Sequence, residues 1–379
     1  MPVYLDCNAT APLETAVQDA VFRFMTEEYG NSGSRTHEYG ARAKQAVQHA
    51  RRSVAHAVAA DPDEVVFTSG ATESNNLAIL GLAPHGEKTG RRHIVSTQIE
   101  HKAILEPLEA LQARGFEVTF VATEPGGYVA PEAVANALRP DTLMVSVMHV
   151  NNETGVEQPI TEIGRLLAEH PAYFHVDAAQ GFGKIGPPLR DQRIDLMSIS
   201  AHKIYGPKGV GALIARRREF ARAPLSPLMF GGGQERGLRP GTLPVPLIVG
   251  LGIASELAEK HGTRRREQCE AFRREVLRGL APLDPEPNGS QDRVVPHTLN
   301  FTIPGLDSEA FILSTKDLIS VSNGSACTSQ SYQPSHVLKA MGLSLARVKG
   351  ALRFSWCHMT PPVDWAAVVM AANRLRAIA

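Results

Sequence analysis

The chain has 379 residues, of which 43% are hydrophobic and 21% are charged, and its formal net charge is zero. This length favours two domains, and the composition is typical of a globular protein with a large buried core. A neutral chain argues against direct nucleic-acid binding or attraction to an anionic membrane through bulk charge. No apolar run is long enough to span a bilayer, so we expect no membrane association.

Short apolar runs alternate with amphipathic stretches along most of the chain, which predicts an α/β fold. Six runs predict strands, at 64–70, 93–98, 117–123, 143–150, 173–179 and 195–203. Continuous apolar strands of this kind are typical of parallel sheets covered on both faces. Two stretches predict long helices, at 35–59 and 264–283. The arginines of the second stretch are more typical of a solvated helix face than of a partner surface.

A turn-rich segment at 282–298 marks a change in composition, and the predicted strands beyond it are fewer. We therefore expect a large domain of residues 14–255. Residues 1–13 and 256–379 would form a smaller α+β domain.

Four cysteines are far apart in the chain and form no CxxC pair; they are Cys7, Cys269, Cys327 and Cys357. This spacing predicts neither a bound metal nor a disulfide framework. Free thiols are typical of a reducing compartment, so we expect a cytoplasmic protein.

Polar residues follow several predicted strands, at the edge where ligands bind in open α/β sheets. The segment TSGATESNN opens a helix after the first strand. Its small residues and free N–H groups, with the hydroxyl of Thr72, suit a phosphate. The alternative is an ordinary N-cap turn.

Three further strand ends carry residues with possible cofactor chemistry. A buried Asp177 needs a cationic or hydrogen-bond donor partner. That partner could be the ring nitrogen of a cofactor or a structural donor in the protein. Nearby Gln180 could donate to a phenolic oxygen. Lys203, in a glycine-flanked turn, could form a Schiff base, although most lysines are surface charges. His101 could stack on a ring or move protons, or be a structural histidine. Taken together in this order, the phosphate turn, histidine, aspartate and lysine are what pyridoxal phosphate needs.

The chain resembles the cysteine desulfurases, pyridoxal phosphate enzymes of the class V aminotransferase group. The resemblance runs almost end to end and is carried by YLDCNATAP, VFTSGATESNNLAI, EHKAIL, MHVNNETGV, HVDAAQ, SAHKIYGPKGVGAL, GGGQERGLRPGTLP, SNGSACTS and LRFS. It implies the aspartate aminotransferase-like fold of pyridoxal phosphate-dependent transferases. In that fold a mostly parallel seven-stranded sheet forms the large domain, and a smaller α+β domain is C-terminal.

The resemblance also implies roles for single residues. Lys203 would form the Schiff base, His101 would stack on the ring, Asp177 would hold the pyridine nitrogen and Gln180 the phenolic oxygen. The phosphate would be bound by Ala71, Thr72, Ser200 and His202. Thr242 would reach the phosphate of the neighbouring subunit, so the enzyme would be a homodimer. Asn152 would contact cofactor and substrate, and Arg353 would bind the substrate carboxylate as a fork.

Cys327 lies among small polar residues in a predicted loop at about 322–335. On its own it could be an incidental surface thiol. The resemblance implies that it attacks the sulfur of L-cysteine, takes it as a persulfide and releases L-alanine, which requires a mobile loop. The other three cysteines are expected to be ordinary packing or surface thiols.

Two segments depart from the family pattern: CNATAP near the start, and Trp356 with Cys357 after LRFS. The segments MPVYLDCNATAPLE, GSRTHEYGA and QERGLRPGTLP are most similar to the desulfurases of bacterial DNA phosphorothioation systems. That likeness implies sulfur delivery to partner proteins, including an iron–sulfur enzyme. The alternatives are a general iron–sulfur cluster or tRNA-thiolation desulfurase, a selenocysteine lyase or aminotransferase of the same fold, and a sulfur-carrier or scaffold protein without activity.

Overall fold

The structure is a computed structural model that describes residues 1–323 and 334–376. The strands of this part are β1 (Val3–Tyr4), β2 (Val65–Thr68), β3 (His93–Thr97), β4 (Glu117–Val121), β5 (Thr142–Met148), β6 (Tyr173–Asp177), β7 (Leu196–Ser200), β8 (Gly211–Ala215), β9 (Arg217–Arg218), β10 (Ala221–Arg222), β11 (Glu286–Pro287), β12 (Thr298–Thr302), β13 (Ile319–Ser320) and β14 (Ala351–Ser355). The helices are α1 (Thr15–Thr26), α2 (Glu38–Ala57), α3 (Ala71–Thr89), α4 (Lys102–Gln112), α5 (Pro131–Asn136), α6 (Ile160–Leu166), α7 (Val245–Leu280), α8 (Ser308–Thr315), α9 (His336–Ala340), α10 (Leu345–Lys349) and α11 (Trp365–Arg376).

A seven-stranded sheet forms the centre of the molecule, in the order β2-β8-β7-β6-β5-β3-β4. Only β8 runs against the others, pairing antiparallel with β2 and β7. The six strands predicted from apolar runs all belong to this sheet, and the mostly parallel seven-stranded architecture is confirmed. The apolar pattern missed β8, which begins with glycine. Gly211 is required there because a Cβ would lie 2.7 Å from the Cα of Gly70.

Apolar residues on the two faces of this sheet pack into two separate clusters. One face packs against α1, α2 and the first half of α7, and the other packs against α3 and α4. Alternate residues of β2 divide between them, since Val65 and Phe67 join the first cluster whereas Val66 joins the second. This alternation is expected for a strand covered on both faces.

The predicted helix at 35–59 corresponds to α2, whereas the one predicted at 264–283 is the second half of the longer α7. The first half of α7 was missed because it contains Gly250 and Gly252, which lower helix propensity. Close packing explains both glycines: a Cβ would lie 2.8 Å from the ring of Pro207 at Gly250 and 2.6 Å from Ala50 at Gly252. None of the helices described is long and apolar enough to cross a membrane.

A third cluster packs around the three-stranded antiparallel sheet β11-β12-β14. It contains the second half of α7, α8 and α11, and an edge-to-face pair of Phe301 and Phe354 with ring centroids 5.0 Å apart. Leu5 is buried in this cluster, so the N-terminal segment packs beside the C-terminal elements. The domain boundary predicted at residue 255 falls inside α7, which contributes to both cores.

Candidate active site

A cavity of about 570 Å³ lies at the carboxyl edge of the seven-stranded sheet. Parallel strands end at the same edge, so the polar residues that follow them converge there. Of the predicted site residues that the structure describes, Thr242 does not line this cavity. The others do, namely Ala71, Thr72, His101, Asn152, Asp177, Gln180, Ser200, His202, Lys203 and Arg353.

The N-terminus of α3 forms one end of the cavity. Its cap residue Gly70 has a φ of 154°, which favours glycine, and offers no side chain to cap the first turn. Ala71 and Thr72 supply the first N–H groups of the helix, and such groups attract an anion together with the positive end of the helix dipole. Ser200 lies opposite, with its Oγ 3.9 Å from the position that a Cβ of Gly70 would take.

His202 borders the same end of the cavity. Its Nδ1 lies 3.2 Å from the hydroxyl of Thr10. Burial, together with the charges of Lys203 and Lys208, lowers the pKa of His202 to about 4. The ring is therefore neutral near pH 7 and carries one donor and one acceptor nitrogen.

Lys203 follows β7 in a single 3₁₀ turn, Ala201–Lys203. Its Nζ donates to the backbone carbonyl of Asn8 and to that of Ala9 at 2.8 Å. Gln180 Nε2 donates to the same Asn8 carbonyl at 2.9 Å. These contacts hold the lysine amine inside the cavity and attach it to the N-terminal segment, whose Asn8 and Ala9 also line the cavity.

Asp177 is the last residue of β6 and is only 6% exposed. Its Oδ2 accepts a hydrogen bond from Asn75 Nδ2 at 2.8 Å, and its Oδ1 accepts one from the backbone N–H of Ala179 at 2.9 Å. Two donors offset the cost of burying a carboxylate. The structural hydrogen bond considered as an alternative is thus present, and Asp177 also lines the cavity.

His101 is the N-cap residue of α4, and its Nδ1 accepts the backbone N–H of Ala103 at 3.1 Å. The proton of the neutral ring is therefore on Nε2. Burial lowers the pKa of His101. The negative charge of nearby Asp177 raises this pKa in part, and the positive charge of Lys203 lowers it. A neutral, flat ring is consequently presented to the cavity.

Distant parts of the chain build the other end of the cavity. Arg353, on β14, has a side chain that is 1% exposed. Its Nη2 donates to Asp6 Oδ1 at 2.6 Å, and its Nη1 donates to the backbone carbonyl of Asn152 at 3.0 Å. Asn8 Nδ2 donates to the same Asn152 carbonyl at 3.2 Å. The guanidinium is thereby held rigidly, in a fork geometry that suits a carboxylate.

Comparison with known proteins agrees with this geometry. The family model for class-V aminotransferases matches residues 3–364. The cysteine desulfurase IscS of Anaeromyxobacter dehalogenans is 47% identical over 93% of this chain and 87% of its own length. The human cysteine desulfurase is 44% identical over 93% of this chain and 77% of its own length.

Two solved structures show the same fold. The crystal structure of DndA from Streptomyces lividans is 54% identical, covers 91% of this chain and 97% of its own, and has a TM-score of 0.82. A NifS-like protein is 35% identical, covers 100% of this chain and 99% of its own, and has a TM-score of 0.89. The chain is a cysteine desulfurase of the class-V aminotransferase family. Like its relatives, the desulfurase depends on pyridoxal phosphate and acts on L-cysteine.

The cavity of the desulfurase fits pyridoxal phosphate in size and in chemistry. The uncapped end of α3, with Ser200 and His202, suits a phosphate. Asn75 Oδ1 and Gln180 Oε1 are buried and have no hydrogen-bond partner among residues 1–323 and 334–376. Since a buried polar atom without a partner is costly, these two acceptors remain available to a bound group.

Two predicted site residues of the desulfurase are not among the cavity residues described above. Thr242 is exposed and lines a second cavity of about 450 Å³, together with the buried ion pair of Arg51 and Glu235. Cys327 lies outside the described residues, as does most of the predicted loop at 322–335.

The chain that follows residue 333 is anchored beside the cavity. Ser335 Oγ donates to the buried carboxyl of Glu153, and His336 Nε2 lies 2.9 Å from the backbone carbonyl of Glu100. Burial raises the pKa of Glu153 and raises that of Glu100 to about 8. These contacts attach α9 to the two segments that carry Asn152 and His101.

Several further residues line the cavity that the sequence did not single out, among them Asn8, Thr10, Ser69, Asn75 and Lys208. Asn75 could have been found, because it follows Thr72 by three positions and so lies on the same face of the helix. Asn8 has no comparable local signal. Its hydrogen bonds to Asn152 and Thr298 join parts of the chain that no sequence pattern connects.

Proposed function

We propose that this desulfurase supplies sulfur to a bacterial DNA phosphorothioation system, in which sulfur replaces an oxygen of the DNA backbone. The observation that supports this most is the 54% identity to DndA, a phosphorothioation desulfurase. The IscS relative named above is 47% identical and the human desulfurase 44%. The segments MPVYLDCNATAPLE, GSRTHEYGA and QERGLRPGTLP carry the same likeness.

In the proposed reaction the sulfur atom of L-cysteine is transferred to the thiol of Cys327. L-Cysteine leaves as L-alanine and Cys327 becomes a persulfide, so no further oxidant or reductant is needed. A partner protein then takes the outer sulfur, and we expect an iron–sulfur enzyme of the pathway in this role. Pyridoxal phosphate, when bound, stabilises the negative charge that develops at the α-carbon of the substrate.

Four residues would hold the ring of the cofactor. The amine of Lys203 would attach to its aldehyde carbon, and the carboxylate of Asp177 would keep its ring nitrogen protonated. The neutral ring of His101 would stack on it, which its lowered pKa supports. Gln180 would contact the phenolic oxygen.

The phosphate would be bound by Ala71, Thr72, Ser200 and His202, at the uncapped end of α3. A neutral His202 can donate to a phosphate oxygen from its free nitrogen, which its pKa of about 4 favours. At the other end, Arg353 would bind the carboxylate of L-cysteine. Asn152 would contact both cofactor and substrate.

We further propose a homodimer, in which Thr242 reaches the phosphate of the neighbouring subunit. Thr242 is exposed and does not line its own subunit's cavity. Phe230, in the same connection between β10 and α7, is 90% exposed, and Phe22 on α1 is 66% exposed. Large apolar side chains at such exposure favour a covering partner. Light scattering of the purified protein should give twice the mass of the chain.

The proposed large domain, residues 14–255, and smaller domain, residues 1–13 and 256–379, are supported by their separate apolar clusters.

We also propose that the enzyme is cytoplasmic. Because the chain has no net charge, we further propose that it does not contact DNA directly. A gel-shift experiment at physiological salt should therefore show no binding to duplex DNA.

The role of Cys327 is tested by alanine and protein-bound persulfide formed from L-cysteine. Cys327→Ser should bind the cofactor and stay yellow but form neither product, because serine cannot accept the sulfur. Cys269→Ser, which changes a buried thiol of α7, should form both products. Undiminished cysteine turnover by Cys327→Ser would point instead to a lyase or aminotransferase activity.

A role in general iron–sulfur cluster assembly or tRNA thiolation is the second candidate. It is supported by the IscS relatives at 43–47% identity over 93% or more of this chain. The full-length match to a NifS-like protein adds to it.

Genetic complementation separates the two candidates. The chain is expressed in a host without its phosphorothioation desulfurase and in a host without its IscS-type desulfurase, with Lys203→Ala as an inactive control. Phosphorothioate dinucleotides, detected by mass spectrometry of digested DNA, should return in the first host only. Recovery of iron–sulfur enzyme activity in the second host without phosphorothioates in the first would overturn the proposal.

A further inference from the structure

Cys7 and Cys357, the cysteines of the two segments that depart from the family pattern, meet in the folded chain. They are 1% and 3% exposed and belong to the same small buried cluster. The N-terminal segment runs parallel to the end of β14 here, with a bridge between Asp6 and Ser355 and a 3.0 Å hydrogen bond from the N–H of Cys7 to the Ser355 carbonyl. This pairing places the two thiols in one buried cluster, together with Ala11 and Tyr205.

The surroundings of this thiol pair favour one ionised sulfur. The interaction between the two thiols lowers the pKa of Cys357 and raises that of Cys7. The Thr360 hydroxyl lies 3.8 Å from Cys357 Sγ. The positive charge of the Lys184 amine favours the ionised form of both thiols. A thiolate supported by a neighbouring thiol and a cation is the reactive form of a dithiol.

The thiol pair is also connected to the active site. Cys7 precedes Asn8, whose carbonyl accepts hydrogen bonds from Lys203 and Gln180. The N–H of Asn8 donates to Ser355 Oγ at 2.9 Å, next to the segment that carries Cys357. A movement of Cys7 towards Cys357 would therefore act directly on Asn8 and on the lysine amine that its carbonyl holds.

We propose that Cys7 and Cys357 are a redox-active dithiol that a peroxide converts to a disulfide, and that this disulfide weakens binding in the active site through Asn8. The Cys357 thiolate attacks one oxygen of the peroxide, so that a sulfenic acid forms and the O–O bond breaks. The Cys7 thiol then attacks the sulfenic sulfur and releases water. Two thiols thus lose two electrons and two protons, and one hydrogen peroxide becomes two waters.

The test uses the cofactor-loaded Cys327→Ser protein, which removes the loop thiol as a competing site of oxidation. After treatment with hydrogen peroxide, peptide mass spectrometry should show a Cys7–Cys357 cross-link with the loss of two hydrogens, reversed by dithiothreitol. Binding of L-alanine, followed by the visible absorption of the cofactor, should become several-fold weaker in the oxidised protein and recover on reduction. L-Alanine is chosen because L-cysteine would itself reduce the disulfide.

Two matched variants complete the experiment. Adding Cys7→Ala should abolish both the cross-link and the change in binding. Adding Cys269→Ser, which removes the third buried thiol near Lys184, should leave both intact. Separate sulfinic acids, or unmodified thiols, at Cys7 and Cys357 would overturn the dithiol. A cross-link without any change in L-alanine binding would overturn its connection to the active site.

Discussion

The two ends of the active-site cavity are built in different ways. At the sheet end, single turns after β2, β3, β6 and β7 each present their polar residue directly to the cavity. At the substrate end, Asp6, Asn152 and Arg353 come from distant parts of the chain and meet through hydrogen bonds. The sheet end depends on local turns, whereas the substrate end depends on how the two cores pack together. Changes at the sheet end should therefore affect the chemistry, and changes at the substrate end should affect binding and stability together.

The largest effect is expected at the sheet end, from Lys203→Ala. This change removes the amine that would hold the cofactor, so alanine formation from L-cysteine should fall to background. The absorption of the lysine-bound cofactor should disappear as well. Chromatography of the product and a visible spectrum measure the two effects. Lys260→Ala, on an exposed position of α7, should change neither. A yellow and active Lys203→Ala protein would assign the cofactor attachment to another residue.

The next effect is expected from Asp177→Asn, which keeps the shape of the side chain but removes its charge. The carboxylate favours a protonated cofactor nitrogen, so kcat should fall by about 10²-fold, a loss typical of one electrostatic contact to a developing charge. Asn75→Ala, which removes a hydrogen bond to Asp177, should cause a smaller loss. Steady-state kinetics at saturating L-cysteine measure both. Equal losses in the two variants would contradict a direct role for the carboxylate.

At the substrate end, Arg353→Lys should raise KM for L-cysteine by about tenfold, equivalent to about 1.4 kcal/mol of binding. A lysine cannot reproduce the planar fork that contacts Asp6 and the Asn152 carbonyl. The effect on kcat should be smaller, which would distinguish this end from the sheet end. Asp6→Asn keeps the arginine and should raise KM less. An unchanged KM in a folded Arg353→Lys protein would remove Arg353 from substrate binding.

The smallest effect on activity, but a measurable one on stability, is expected from Glu100→Gln. Burial raises the pKa of Glu100 to about 8. Its Oε1 accepts hydrogen bonds from Thr97 Oγ1 at 2.7 Å and the Met148 N–H at 3.0 Å, which a glutamine oxygen can also accept. Because the folded-state pKa lies above the ordinary value, the neutral carboxyl stabilises the fold fully at pH below about 4.5. This contribution is lost as pH rises towards 8.

The glutamine variant has no such dependence, so its advantage over the wild type should grow with pH. Between pH 5 and 7.5 the difference in unfolding free energy should increase by about 1.4 kcal/mol per pH unit. Urea unfolding at several pH values measures this difference. A difference that does not vary with pH would show that Glu100 ionises normally in the folded protein.

Much of the sheet end could be predicted from the sequence. Apolar runs located six of the seven strands, and the polar residues at or just beyond the ends of these runs identified Asp177, His101 and Lys203 as cavity residues. The strand β8 was missed because tight packing requires glycine at its start, and glycine weakens the strand pattern. The roles proposed for Asp177, His101 and Lys203 in binding the cofactor remain predictions.

The sequence by itself determined the α/β class, the strand-end residues and the resemblance to the cysteine desulfurases. These features depend on residues that are neighbours in the chain, and local patterns encode them directly. Only the tertiary structure decided that Asn8 holds the amine of Lys203, that Arg353 is fixed by Asp6, and that Cys7 meets Cys357. The physical reason is that these contacts form only when the N-terminal segment is laid between the sheet and β14, and that position is set by the packing of both cores.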